Sequence, residues 1–423
     1  MEISRSRFGN LSVLILGRRK TVTLTASSQE VRPPLESQDQ WEFRGQNTRY
    51  GTHGMHTYVA AMIPQLARKL IEDYAPPKGI VFDPFCGGGA VPVEAVYSGR
   101  TAVGRDINEL AVLISNAKTT YIDQVQANET ANNIIDTLDF SSEAPLLDRT
   151  LGYWFKKEHL PSLDALRRSI EKNVECHSPL RTFFLAVFSA TVRDVSLTYR
   201  NEIRLRRMTP SEIDNFNVDP IGRFQKRARQ AAVVADDLPQ GISTDIQIGD
   251  VQAISLGDDE CSTIVCSPPY GDERNGVSYT QFSRNMLRWL GYSSGQIKKS
   301  KDKTLGWGKR IRTAPKSPTL EEALNAISEF PNSVNEAVSF YADYQSALAE
   351  MARVTRGHIV IVIGQRVLRD TIFDNGAITT DLMENIGVPL MDVFYRKLPS
   401  KRLPRMRKFG AAINREAILV FQK

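Results

Sequence analysis

Apolar residues recur at three-and-four spacing through Tyr58-Val59-x-x-Met62-Ile63-x-x-Leu66-x-x-x-Leu70-Ile71, which predicts a helix packing one face. Short apolar runs then alternate with helical stretches. A strand is expected at 79–83, a helix at 92–97 ended by Ser98-Gly99, a strand at 101–106 and a helix at 109–118. From about 123 to 240 the periodicity is helical, with Leu160, Leu163, Leu166, Ile170 and Val174 on one face and 183–188 apolar on several. Strand patterns return at 245–250 and 263–266, and a helix at 335–353 leads to strands at 358–363, 391–395 and 416–421. These are seven strands with intervening helices. They predict an α/β fold, an open doubly wound seven-stranded sheet of Rossmann-like type, interrupted between its third helix and third strand by a mainly helical insertion.

At 423 residues the chain exceeds one ordinary domain. The pattern divides it into an N-terminal segment, 1–45, without an assigned role, a sheet domain, 46–122 plus 241–423, and the insertion, 123–240. No apolar run reaches membrane-spanning length, which points to a soluble cytoplasmic protein. The cysteines at 86, 176, 261 and 266 share no metal-ligand spacing and read as reduced, mostly buried small residues. His53-x-x-His56 lacks companion ligands, so no metal is expected and the pair reads as a polar lead-in to the first helix. Charge is more informative. Of the net +6, segments 291–318 and 396–408 each carry +7, leaving −8 elsewhere. Cations so concentrated are the footprint of a polyanion surface.

Ligands of a doubly wound sheet gather at the carboxyl ends of the strands, and Asp83, Asp106, Asp250 and Ser267 are each expected to close a strand. Asp83-Pro84-Phe85-Cys86-Gly87-Gly88-Gly89 follows the first strand and precedes a helix, the layout a nucleoside-bearing cofactor needs. After Gly89 the chain reads Ala90-Val91-Pro92-Val93, so the third glycine of a dinucleotide motif is missing. Asp106 offers two acceptor oxygens for ribose hydroxyls. Ser267-Pro268-Pro269-Tyr270, directly after an apolar strand, presents a hydroxyl, a rigid carbonyl and an aromatic face.

On these two peptides the chain resembles the amino-methyltransferases of DNA, in which a DPF-type glycine motif binds S-adenosylmethionine and an (S/D/N)PP(Y/F) tetrapeptide grips the amino group to be methylated. The serine form is similar to the branch that modifies the 4-amino group of cytosine. The resemblance runs from about residue 53 to 423, with 123–240 unmatched. It implies a class I methyltransferase fold. Asp83, Pro84, Phe85, Cys86, Gly87, Gly89, Asp106, Ile107 and Asp250 are then expected around the cofactor, with Ser267, Pro268, Pro269 and Tyr270 around an extruded base on which Tyr270 stacks. Transfer would be direct, without Cys266 as nucleophile. The insertion is the expected target-recognition module. Lys298, Lys299, Lys301, Lys303, Lys309, Arg310, Arg204 and Arg207 are candidate contacts to double-stranded DNA, and Arg200, Arg206, Arg223, Lys226, Arg227 and Arg229 are further cations of the insertion. The implied role is the protective half of a restriction-modification or other host-defence system in a bacterial or archaeal cytoplasm, at the nucleoid, with a cognate restriction endonuclease as partner. Methylation of adenine N6, methylation of RNA amino groups and a catalytically silent nucleic-acid scaffold stand as alternatives.

Overall fold

Prolines and capping side chains set where the helices begin. In the computed structural model, which describes residues 41–141, 151–199, 202, 205–271, 278–307, 312–397 and 415–423, α1 (Pro64–Tyr74) starts with proline at its first position. The helix expected from Tyr58 is therefore six residues shorter. Pro64 has no N–H to donate and holds Ile63 extended (ψ 136°), so 58–63 is a loop. β1 (Ile80–Asp83) leads through the glycine loop into α2 (Ala90–Tyr97), which begins two residues before Pro92 because Gly89 takes the cap at φ 83°. β2 (Thr101–Asp106) and α3 (Glu109–Thr119) follow.

The insertion contains α4 (Gln124–Asp136), α5 (Leu151–Trp154), α6 (Leu160–Asn173), α7 (Pro179–Val195), α8 (Pro210–Asp214) and α9 (Pro220–Asp236). The sheet resumes with β3 (Thr244–Ile248) and β4 (Cys261–Cys266). Then come α10 (Tyr279–Trp289), α11 (Ser294–Asp302), α12 (Pro318–Ala326) and α13 (Pro331–Val354), which runs directly into β5 (Thr355–Gly364). A hairpin of β6 (Arg366–Leu368) and β7 (Thr371–Phe373), α14 (Asn375–Asn385), β8 (Leu390–Lys397) and β9 (Arg415–Gln422) complete the order.

Seven strands pair in the order β3-β2-β1-β4-β5-β9-β8, with β9 antiparallel to both neighbours and the β1–β5 pairings parallel. This is the sheet of a class I methyltransferase. Alternate side chains leave opposite faces: Phe82, Ile264, Ile359 and Ile361 pack with α13 and α14, while Val81, Val265, Val360 and Val362 pack with α1 and α2. Trp41 and Phe43 join the second layer, so the end of the N-terminal segment is anchored rather than loose.

The insertion does not form a core of its own. Its apolar faces merge with Leu110 and Ile114 of α3 and with Phe282, Met286, Leu287 and Trp289 of α10. Trp289 meets the ring edges of Phe155 and Phe188 at 5.7 and 6.4 Å. His53 and His56 are buried, correcting the polar lead-in. His53 Nε2 lies 2.8 Å from Glu94 Oε1, which also accepts from the Tyr50 hydroxyl, and His56 sits between the Thr57 carbonyl and Ser189. Because the two parts share one core, Trp289→Ala should cost about 3–5 kcal/mol in urea unfolding while insertion and sheet still melt together. Two separate transitions would contradict the shared core.

Candidate active site

β1 and β4 are neighbours in the sheet and far apart in the chain. Their parallel register, Val81 to Thr263 and Phe82 to Ile264, brings Asp83 and Ser267 out at the same edge, where the strand order reverses direction. Both line one cleft. Of the other cofactor residues expected from sequence, Pro84, Phe85, Cys86, Gly87, Asp106, Ile107 and Asp250 line the same cleft. Gly89 does not: it serves the turn, and a Cβ there would come within 2.7 Å of Ser115 Oγ.

The glycine loop is tied to the end of β2. Cys86 N–H donates to the Arg105 carbonyl at 3.0 Å, and Gly87 N–H, at φ 47°, donates to Asp106 Oδ2 at 2.9 Å. Asp106 Oδ1 accepts from Asn108 N–H at 2.8 Å. The cap of α3 is Asn108, not Asp106. The smallness of the glycines is spent on protein as well as on ligand, because the Tyr58 ring lies over Gly87 and a Cβ on Gly88 would fall 2.5 Å from Tyr58 Cβ. Tyr58, which also lines the cleft, was assigned to a helix by its periodicity and so was missed as a site residue.

Asp83 accepts from Phe85 N–H at 3.0 Å, yet burial pushes its carboxyl up to about 8, and neighbouring Asp106 adds to the rise. Burial likewise raises Asp106 to about 6, against the pull of its backbone donors. Asp250 lies two residues beyond the end of β3, where its Oδ1 accepts from Gln252 N–H at 3.0 Å, so it closes a turn rather than the strand. Burial pushes the Cys86 and Cys266 thiols well above their usual range, which leaves neither as a nucleophile.

Ser267 and Pro269 face the cleft, while Pro268 is buried behind them. Tyr270 departs from expectation: its ring packs against the core, its hydroxyl donates to Glu416 at 2.8 Å and its carbonyl accepts from Asn375 at 3.2 Å. In this conformation it is a strut for the tetrapeptide, not an open stacking face. Tyr279 lines the cleft instead, 6.3 Å from Tyr58 in a stacked pair.

α10 and α11 roof the cleft and are pinned to the β2 end. Asn108 Nδ2 donates to Ser283 Oγ at 2.7 Å, and Ser300 Oγ donates to the Ile107 carbonyl at 2.5 Å. Lys301 and Lys303 consequently line the cleft, Lys301 with its ammonium 4.1 Å from the Trp307 ring, while Lys298 and Lys299 face solvent. Lys309, Arg310, Arg200 and Arg204 lie outside the described residues. Several cations of the insertion are engaged by the protein itself: Arg227 forks onto Asp194 at 2.6 and 2.8 Å, Arg223 lies 3.8 Å from the same carboxylate, exposed Arg206 pairs with Glu202, and Arg207 donates to the Tyr153 carbonyl. Lys226 and Arg229 are exposed.

Residues 15–117 match the DNA methylase family of N6/N4 type. Over 407 residues, 86% of this chain and 87% of the relative, the sequence is 31% identical to the type II methyltransferase M.MvaI of Kocuria varians. The chain belongs to the N6/N4-type DNA methyltransferases. A shorter match, 33% over 66 residues, links 16% of it to 12% of the type II methyltransferase M.MjaII of Methanocaldococcus jannaschii. Among solved structures, an S-adenosylmethionine-dependent methyltransferase of Methanosarcina mazei aligns with 84% of the chain and 96% of its own at 9% identity and a TM-score of 0.30. The rRNA methyltransferase aviRa of Streptomyces viridochromogenes aligns with 85% of each chain at 10% identity and a TM-score of 0.29.

The cofactor of this methyltransferase is S-adenosylmethionine, and the cleft has the groups it calls for. Carboxylates meet a cationic amine and hydroxyls, and Phe85, Ile107 and Val251 give an apolar wall. Among the described residues no cluster of three or more His, Cys, Asp or Glu could hold a metal, and no helix is long and apolar enough to cross a membrane. The raised Asp83 carboxyl sets a pH dependence. Stability fully present below the ordinary carboxyl range is lost as pH climbs through about 8, since ionising Asp83 in the folded, cofactor-free protein is unfavourable. Asp83→Asn should therefore gain thermal stability over wild type progressively from pH 5 to pH 8, while its affinity for S-adenosylmethionine falls at least roughly 10-fold at pH 8 by calorimetry. A stability gap independent of pH would contradict the assignment.

Proposed function

We propose that this methyltransferase modifies the exocyclic 4-amino group of cytosine in duplex DNA. The observation that carries the reading is Ser267 at the carboxyl end of β4, facing the same cleft as Asp83 and Asp106. The amine of cytosine is a poor nucleophile because its lone pair is delocalised into the ring. Ser267 Oγ and the Pro268 carbonyl are the two acceptors that hold its N–H groups in the reactive, pyramidal form, and consecutive prolines keep that carbonyl from moving. A serine hydroxyl also donates, which suits the unprotonated ring nitrogen next to the amine. S-adenosylmethionine, when bound, supplies a methyl group on a positively charged sulfur.

Within this proposal Asp106 takes the ribose hydroxyls with the lone pairs left by Gly87 and Asn108, Asp83 and Asp250 face the cationic end and the adenine, and Phe85 and Ile107 pack the purine. The chain needs no covalent intermediate; it aligns amine and methyl in line, an effect of several kcal/mol. The base leaves the duplex to reach Ser267, and Tyr279 offers the aromatic face that Tyr270 does not. Exposed Lys298 and Lys299 lie beside the cleft's roof for phosphates, and the insertion, with Lys226 and Arg229 outward, reads the sequence. A matching endonuclease fits a type II system.

Incubation with labelled S-adenosylmethionine and duplex DNA should yield N4-methylcytosine on nucleoside chromatography, with single-stranded DNA and RNA poorer acceptors; N6-methyladenine as the product would overturn the reading. Ser267→Ala should lower kcat by about 10²–10³ while cofactor affinity holds. Changing Lys298 and Lys299 together to Gln should reduce the slope of log affinity against log salt by roughly 2, and an unchanged slope removes them from the interface.

A further inference from the structure

Past Pro269 the main cleft leads into a narrow second cavity, with room for little more than a single acceptor atom, which shares Pro269, Thr304 and Leu305 with it. Its walls include Trp307, Phe340 and Arg366 of β6, which is 1% exposed. Arg366 Nη2 donates to Glu336 Oε1 at 2.5 Å. Its Nη1 is buried with no hydrogen-bond partner, and it faces Gly271, the residue after the tetrapeptide. Gly271 holds φ 79°, and a Cβ there would come 3.1 Å from Nη1 and 3.1 Å from the Phe340 ring, so only glycine leaves the guanidinium and the ring room beside the loop.

A guanidinium nitrogen only donates, so whatever satisfies Nη1 must present an acceptor. Glu336 already balances the charge of Arg366, and the narrow space suits one neutral acceptor atom better than a phosphate. We propose that Arg366 Nη1 is a specificity-determining donor that pairs with the ring carbonyl of the extruded pyrimidine. The inference rests on the cytosine reading above and deepens it. With the 4-amino group held at Ser267, cytosine's remaining acceptor is the C2 carbonyl, one ring position beyond the nitrogen beside that amine. Adenine held by its 6-amino group carries a C–H at the corresponding position. It would leave the buried donor unpaired, and a site built around a hydrogen bond rejects the analogue lacking it.

The test uses the full chain and two duplexes, one with cytosine at the target and one with a 2-aminopyridine C-nucleoside, which keeps the amine and ring nitrogen and lacks the carbonyl. Wild type should show kcat/KM lower by roughly 10- to 100-fold or more on the analogue. Arg366→Lys keeps a cation for Glu336 but loses the fork. It should lose roughly 10- to 100-fold on cytosine, with cofactor affinity and melting temperature retained, and should discriminate little further between the duplexes. Comparing the two enzymes cancels the intrinsic reactivity of the analogue. Wild-type discrimination retained in Arg366→Lys overturns the inference, and so does a wild-type enzyme indifferent to the carbonyl. If the variant fails to fold, the wild-type comparison alone decides. A wild-type product other than N4-methylcytosine overturns the proposed function, and this inference with it; N4-methylcytosine with unchanged discrimination removes Arg366 alone.

Discussion

Two carboxylates held away from water at the ends of neighbouring strands are the constraint around which this molecule is organised. Parallel pairing of β1 with β2 and β4 brings Asp83, Asp106 and Ser267 to one edge, although up to 184 residues of chain separate them. Backbone donors from Phe85, Gly87 and Asn108 offset part of the cost of burying the acids, but both remain raised in pKa. A cationic ligand placed beside them, such as a sulfonium cofactor with a protonated amine, would favour their charged forms.

The cleft is also where separate parts of the chain are joined. Tyr58 covers the glycine turn, α10 is bonded to the β2 end through Ser283 and Asn108, and Trp289 on that same helix packs into the insertion. The insertion and the helices over the cleft are therefore joined by a short, packed route. Lys301 and Lys303 line the cleft while Lys298 and Lys299 are exposed, so the described part of the basic run is divided between cleft and surface.

Most of the sheet could be read from the chain, because buried parallel strands are short apolar runs that end on polar residues. The positions of Asp83, Asp106 and Ser267 followed from the same logic. What escaped depended on contacts distant in sequence. Tyr58 carries helical periodicity, and only Pro64 signals that the helix starts later. His53 and His56 look solvent-facing until Glu94 and Ser189 enclose them. Arg227 reads like a phosphate contact and is tied to Asp194. Tyr270 was expected on a base and braces Glu416. The β6–β7 hairpin turns through Arg369 and Asp370, both at positive φ without a glycine to announce it, so Arg366 could not be placed from sequence.

The most direct measurement is a crystal structure of the protein with S-adenosylhomocysteine and a cognate duplex. The account expects the sulfur to lie in the β1–β4 cleft and point toward Ser267, the amine of the cofactor to face Asp83, and a flipped cytosine to sit with its amino group on Ser267 and the Pro268 carbonyl. A cofactor seated away from these carboxylates, or a target base that enters by another face of the molecule, would contradict it.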